Sequence, residues 1–288
     1  MRIVPTAMTL LLAAGYAAPA LADRDPNSGA PLPPKQHEVA SPITDHFAAR
    51  ASYFSPSLHT TVRADPTFGV PGALGTTINA EQDLGLPDKL HKGRVDFMFR
   101  MRERMKLRLD YFEADRSGSQ VLSQDITFKN ATFQQGLPAS SSMDWQQFNI
   151  TFTYSFIRTA RFEVGTGLAA YFLQTDAKIT QPQPFSIALH EELSGASPFP
   201  ALPLDLTWCI SRRWSVSAYG AYVHANVSST DGWFMDMHAD LQYRYNANFV
   251  VGAGYASTRA SLTSTSSSNP GYVNTSISGS ELFIRFSF

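Results

Sequence analysis

Gly232-Trp233-Phe234-Met235-Asp236-Met237-His238-Ala239-Asp240-Leu241-Gln242-Tyr243-Arg244-Tyr245 is the stretch that decides the fold. At period two, Trp233, Met235, Met237, Ala239, Leu241, Tyr243 and Tyr245 share one face, and Asp236, His238, Asp240, Gln242 and Arg244 the other. Successive side chains of a β-strand point to opposite faces, so this alternation predicts a strand whose two faces meet different surroundings. One such strand could lie on a soluble core. The chain repeats the pattern many times, and the repetition sets the class.

The 288 residues suffice for one large all-β domain. Residues 1–22 read as a signal peptide: Arg2 precedes the apolar run from Met8 to Ala14, and Ala20-Leu21-Ala22 is a small-x-small cleavage site. Cys209 is the only cysteine, so no intramolecular disulfide forms and no lipid-anchoring cysteine follows the cut. Acidic and basic residues nearly balance, with 24 against 23, and no basic tract occurs. Nucleic acid is therefore not an expected partner. Beyond the leader no run of about 18 apolar residues predicts a transmembrane helix. A β-barrel also satisfies every backbone group in lipid, and it announces itself by alternating segments of roughly ten residues.

Residues 23–45 hold five prolines and no periodicity, and are expected to be a flexible periplasmic segment, with the barrel over 46–288. A first strand from His46 toward Val62 carries Arg50 against Phe47, Ala49, Ala51 and Tyr53, with an interruption expected at Pro56. Val95, Phe97, Phe99 and Met101 alternate with Arg94, Asp96 and Arg100; Met105, Leu107, Leu109 and Tyr111 alternate with Lys106, Arg108 and Asp110. The rhythm continues through Phe148–Phe156, Phe162–Phe172, Leu202–Ile210, Trp214–Tyr222, the opening stretch, Phe249–Tyr255 and Leu282–Phe288. Short turns near 103, 159, 212 and 247 alternate with longer polar connections, as expected when one rim carries periplasmic turns and the other extracellular loops. The count is about ten antiparallel strands in an up-and-down barrel. Twelve is the runner-up, because 76–84 also reads as β, though it is preferred as an extracellular hairpin; eight is the other alternative.

Lipid solvation supports this phase. The apolar positions carry no Lys, Arg or Asp, and one Lys or Arg at the midplane would cost about 2–4 kcal/mol. Aromatic residues flank both ends: Phe156, Phe162, Trp208, Trp214, Tyr243 and Phe249 near the turns, and Tyr111, Phe148, Phe172, Tyr222, Trp233 and Tyr255 toward the loops. With its alternating terminus Leu282-Phe283-Ile284-Arg285-Phe286-Ser287-Phe288, the chain resembles bacterial outer-membrane β-barrel proteins, in the broad sense of the small OmpA-like and OmpW-like barrels. The resemblance implies location in the bacterial outer membrane, contact with its lipid and lipopolysaccharide, and Ile284, Phe286 and Phe288 as an assembly signal for the barrel-assembly machinery. It does not carry an activity.

Inward phase collects Arg50, Arg94, Arg100, Lys106, Arg108, Arg244 and Arg285 with Asp96, Asp110, Glu163, Asp205, Asp236, Asp240 and Glu281, and adds His238. Most bases lie on the first three strands. Glu163, Asp205, Asp236 and Asp240 lie on the fifth to eighth, which closure places opposite. A basic wall is thus expected to face an acidic wall, either pairing across a largely occluded lumen or orienting solutes in a narrow pore. Asp236, His238 and Asp240 lie about 7 Å apart in succession, twice the strand rise, so they do not converge on a metal. No metal, cofactor or catalytic residue is assigned. The expected function is a structural or narrow-channel barrel, expected to be a monomer, with loops able to bind a partner. The alternatives are an adhesin or receptor, or a rim-sited lipid-modifying enzyme around His224, Asn226, Ser228 and Ser229. Asp65, Glu81, Asp83 and Asp88 give the first loop an acidic bias suited to divalent cations.

Overall fold

The computed structural model describes residues 41–67, 73–182, 189–227, 229–267 and 270–288. The expected signal peptide and positions 23–40 of the N-terminal segment lie outside the described residues. Thirteen strands follow in order: β1 (Phe47–Ala64), β2 (Ile78–Asn79), β3 (Lys92–Arg102), β4 (Met105–Val121), β5 (Ile126–Phe128), β6 (Ala131–Phe133), β7 (Pro138–Arg158), β8 (Phe162–Gln181), β9 (Leu189–Cys209), β10 (Trp214–Val227), β11 (Thr230–Arg244), β12 (Phe249–Ser264) and β13 (Gly271–Ser287). Ten of them, β1, β3, β4 and β7 to β13, form one antiparallel sheet that closes by pairing β13 with β1. The strand number is ten, not the alternative twelve or eight. The 76–84 region contributes only the two-residue β2, paired with Thr61 and Val62 and crossing nothing.

Local chemistry sets the short turns. Asn246 Oδ1 accepts the backbone N–H groups of Asn248 and Phe249. Thr159 Oγ1 accepts from Phe162 at 2.9 Å, and Ser211 Oγ from Trp214 at 3.1 Å. Short polar side chains thus satisfy amides that the ladder leaves open. At Pro56 pairing with β13 continues without a shift, because the opposite residue is Gly279, where an added Cβ would lie 2.6 Å from Pro56 Cα. On its other side, β1 leaves the β3 ladder at Phe54 opposite Lys92.

The outer wall is apolar, with Tyr53, Tyr111, Phe156, Trp208, Trp214, Tyr222, Tyr255, Leu282 and Phe286 among its exposed side chains. Above this band the strands keep going. β4, β7, β8 and β9 extend through much of the sequence that reads as long loops, and the β5–β6 hairpin sits on the first connection through Thr76 N–H to Thr127 O and Lys129 N–H to Ala64 O. Val62, Ile78, Leu84, Leu86, Ile126, Phe128, Phe133 and Ile179 form one buried apolar cluster there.

Candidate functional site

The inner wall changes character along the strands. From its turn outward, β4 points Lys106, Arg108 and Asp110 inward, then Phe112 and Ala114. β11, read toward the loops, gives Arg244, Gln242, Asp240, His238 and Asp236, then Phe234. Charge occupies the half near the short turns and apolar side chains the half near the loops.

At the short-turn mouth, residues 41–45 form a turn in which Thr44 and Asp45 N–H groups both donate to Ser41 O at 3.0 Å. Part of the segment expected to be flexible is therefore seated in the barrel. Ile43 is buried, and Asp45 Oδ2 accepts from Arg244 Nη2 at 2.6 Å and Arg285 Nη2 at 2.8 Å. One level in, Arg100 donates twice to Glu163, at 2.8 and 3.0 Å, and Ser155 Oγ donates to the same carboxylate at 2.6 Å. Lys106 donates to Asp205 at 2.9 Å and lies 3.5 Å from Glu163, while Arg108 reaches the other Asp205 oxygen at 3.1 Å. These contacts join β3 and β4 to β8 and β9 through the interior.

Next, Arg50 bonds Glu281 and Asp240, lies 3.4 Å from Asp96, and stacks its guanidinium 3.6 Å from the Phe283 ring centroid. Arg94 takes both oxygens of Asp110 through Nε and Nη2, at 2.8 and 2.7 Å. Its Nη2 also lies 2.8 Å from His238 Nε2. A guanidinium has no acceptor, so in any hydrogen bond between them Arg94 is the donor. Asp236 Oδ1 lies 3.3 Å from the same Nε2. Asp236 also accepts from Thr258 Oγ1 at 2.8 Å and Tyr171 OH at 3.1 Å, and Tyr171 OH lies 3.0 Å from Tyr219 OH. A cavity of about 70 Å³, lined by Arg50, Asp96, Arg108, His238, Asp240 and Arg285 among others, remains between these groups.

Above lie Phe54, Leu58, Phe112, Trp145, Tyr171, Leu173 and Phe234, with Phe199 packed against them. Tyr171, Phe199 and Phe234 meet with ring centroids 4.7 to 5.8 Å apart. Phase places Phe112, Tyr171 and Phe234 inward, but a polar lumen is the default for a membrane barrel, so their packing as an apolar layer does not follow from phase, and Asp45 precedes the first alternating residue.

No group of three His, Cys, Asp or Glu among the described residues is arranged to hold a metal ion, Asp236, His238 and Asp240 included. In the first loop, Asp65 pairs with Arg63 at 2.9 Å and Glu81 with the buried Arg116, while Asp83 accepts from Asn79 N–H at 2.7 Å. Three of the four acids expected to bias that loop toward cations thus hold it together. His224 lies exposed, 3.6 Å from Asp231, beyond hydrogen-bond distance; Ser228 lies outside the described residues.

A closed ten-strand barrel with an apolar outer wall and a charged interior defines an outer-membrane β-barrel protein. No protein-family profile matches the chain, and no curated protein matches it in sequence. Among solved structures it is similar to the outer membrane protease OmpT from Escherichia coli, at 9% identity over 86% of this chain and 98% of that one, with a TM-score of 0.52. It is also similar to the toluene transporter TodX of Pseudomonas putida, at 10% identity over 87% and 92% of the two chains and a TM-score of 0.32. The attachment invasion locus protein Ail of Yersinia pestis matches at 10% identity over 83% and 99%, with a TM-score of 0.30. At 9% identity the similarity to OmpT is one of fold alone.

Proposed function

We propose that this chain is a non-conducting, non-enzymatic outer-membrane barrel whose filled interior stiffens a protruding extracellular cap able to bind an external partner. The observation that carries the reading is the apolar layer of Phe54, Phe112, Trp145, Tyr171 and Phe234 stacked directly on the paired charges. Ions crossing the lumen would have to part ion pairs and then enter a dry layer, and desolvating an unpaired charge costs several kcal/mol. A narrow channel would need a continuous polar path at both levels.

The described residues of the first connection and the β5–β6 hairpin pack on one buried cluster shared with β1, β7 and β8, so their outer face is a presented surface. On the same reading the protein works as a monomer among outer-membrane lipid and lipopolysaccharide. Ile284, Phe286 and Phe288, exposed on closing strand β13 or just beyond it, are what the barrel-assembly machinery would engage. Proteoliposome swelling tests the closed interior. The expected result is no permeability to small sugars or amino acids above protein-free vesicles. Size-dependent swelling would overturn it.

A further inference from the structure

At the short-turn mouth, Arg244 and Arg285 each leave part of the guanidinium unused. Arg244 sends Nη1 to Ala247 O at 2.6 Å, and Arg285 sends Nη1 to Gln242 Oε1 at 3.2 Å. Both send Nη2 to the single oxygen Asp45 Oδ2. The Nε of both is buried and makes no hydrogen bond among the described residues. Nε and Nη2 share one edge of a guanidinium, the edge that takes a two-oxygen acceptor in a fork. Arg94 shows that edge filled in this same barrel, with one Asp110 oxygen on each nitrogen. At the mouth, two such edges converge on one oxygen and leave two N–H donors over. An unfilled donor on a buried charged group is costly, so the pair is under-supplied with acceptor oxygens.

Asp45 is not part of any strand. It arrives on the 41–45 turn, held by backbone contacts such as Arg100 Nε to Asp45 O at 3.2 Å and Arg158 Nη2 to Ile43 O at 3.2 Å. We propose that Arg244 and Arg285 form a periplasm-facing binding site for a soluble tetrahedral oxyanion of the phosphate type, which Asp45 occupies in cis. A phosphate offers three or more oxygens to the four edge donors, where Asp45 offers one. Both guanidiniums are buried inside the wall whose outer surface meets lipid, and Arg285 lines the interior cavity, so the ligand is a free anion or a small phosphorylated solute and not a bilayer headgroup. As a tethered competitor, the turn acts at an effective concentration on the order of millimolar, so the intact protein binds such an anion weakly and releases the turn when it does.

The test uses the full chain refolded in phosphate-free detergent, titrated calorimetrically with inorganic phosphate at constant ionic strength. Folding of each variant is checked by heat-modifiable gel mobility. Asp45→Ala is expected to bind phosphate at least tenfold more tightly than the unaltered chain, and adding Arg285→Gln to abolish that gain. Folded Asp45→Ala protein that binds no more tightly, or keeps its gain without Arg285, overturns the proposal. Should Asp45→Ala not fold, hydrogen exchange on the unaltered chain decides: phosphate, but not matched chloride, accelerates exchange at residues 43–46, and equal rates overturn the proposal. Phosphatidylglycerol in place of free phosphate is expected to leave the turn protected; release by lipid alone would contradict the soluble ligand.

Discussion

Arg94 concentrates the electrostatic problem of the interior in one side chain. It pairs with Asp110, lies 3.9 Å from Asp236, and brings Nη2 within 2.8 Å of His238 Nε2. A buried pair contributes little net stability relative to apolar packing, because desolvation offsets attraction, but removing one member strands the other. Arg94→Leu is therefore expected to cost about 3–5 kcal/mol, measured by urea unfolding in lipid vesicles. Arg94→Leu combined with Asp110→Leu should recover part of that loss, and a double variant as unstable as the single one would contradict the pairing. Period-two phase says which charges point inward. It is silent on partners, which depend on barrel stagger: Arg50 meets Asp240 and Glu281 from two different strands, and Asp45, outside any alternation, completes the mouth.

Among the elements, β11 binds the two halves of the interior together. Its outer face is legible in sequence, since Met237 and Leu241 stand exposed to lipid. Leu241→Arg is expected to destabilise the barrel by about 2–4 kcal/mol if it sits near the midplane, read from the same unfolding curves. Its inner face ends in Phe234, which no rule about polar lumens anticipates. Phe234→Ala should cost about 3–5 kcal/mol, because Tyr171 and Phe199 lose their common ring partner. The extension of β4, β7 and β8 above the aromatic band is a second departure from sequence, since strands that are polar on their outer face and flanked by Ser and Gly read as loops. There Asp144 lies between Asp115 and Asp176 on adjacent strands. Partial burial, then these like charges, raise the Asp144 carboxyl above its ordinary value, whereas Lys92 lowers Asp115. A raised folded value means that Asp144 favours the folded state below the unfolded carboxylate value and loses that contribution as pH rises through the folded one. Asp144→Asn should thus stabilise the protein at neutral pH by about 0.5 kcal/mol, with the advantage gone in acid. An advantage that grows on acidification would contradict the sign.

At the scale of the molecule, ten strands, their rims and their outer wall follow from alternation, aromatic placement and the spacing of Asn, Ser and Thr turns. The filling of the barrel does not, because it depends on which side chains from distant strands share a level. Arg100 with Glu163, Lys106 with Asp205, and Tyr171 with Phe234 are separated by 63 to 99 positions. Those three contacts, from the charged level to the aromatic one, are what close the interior in this account. The most direct measurement is current across a planar bilayer containing the purified, folded full chain. No discrete conductance steps are expected over repeated insertions, at neutral or mildly acidic pH. Reproducible steps whose ion selectivity changes with Asp240→Lys would show a continuous aqueous path and contradict it.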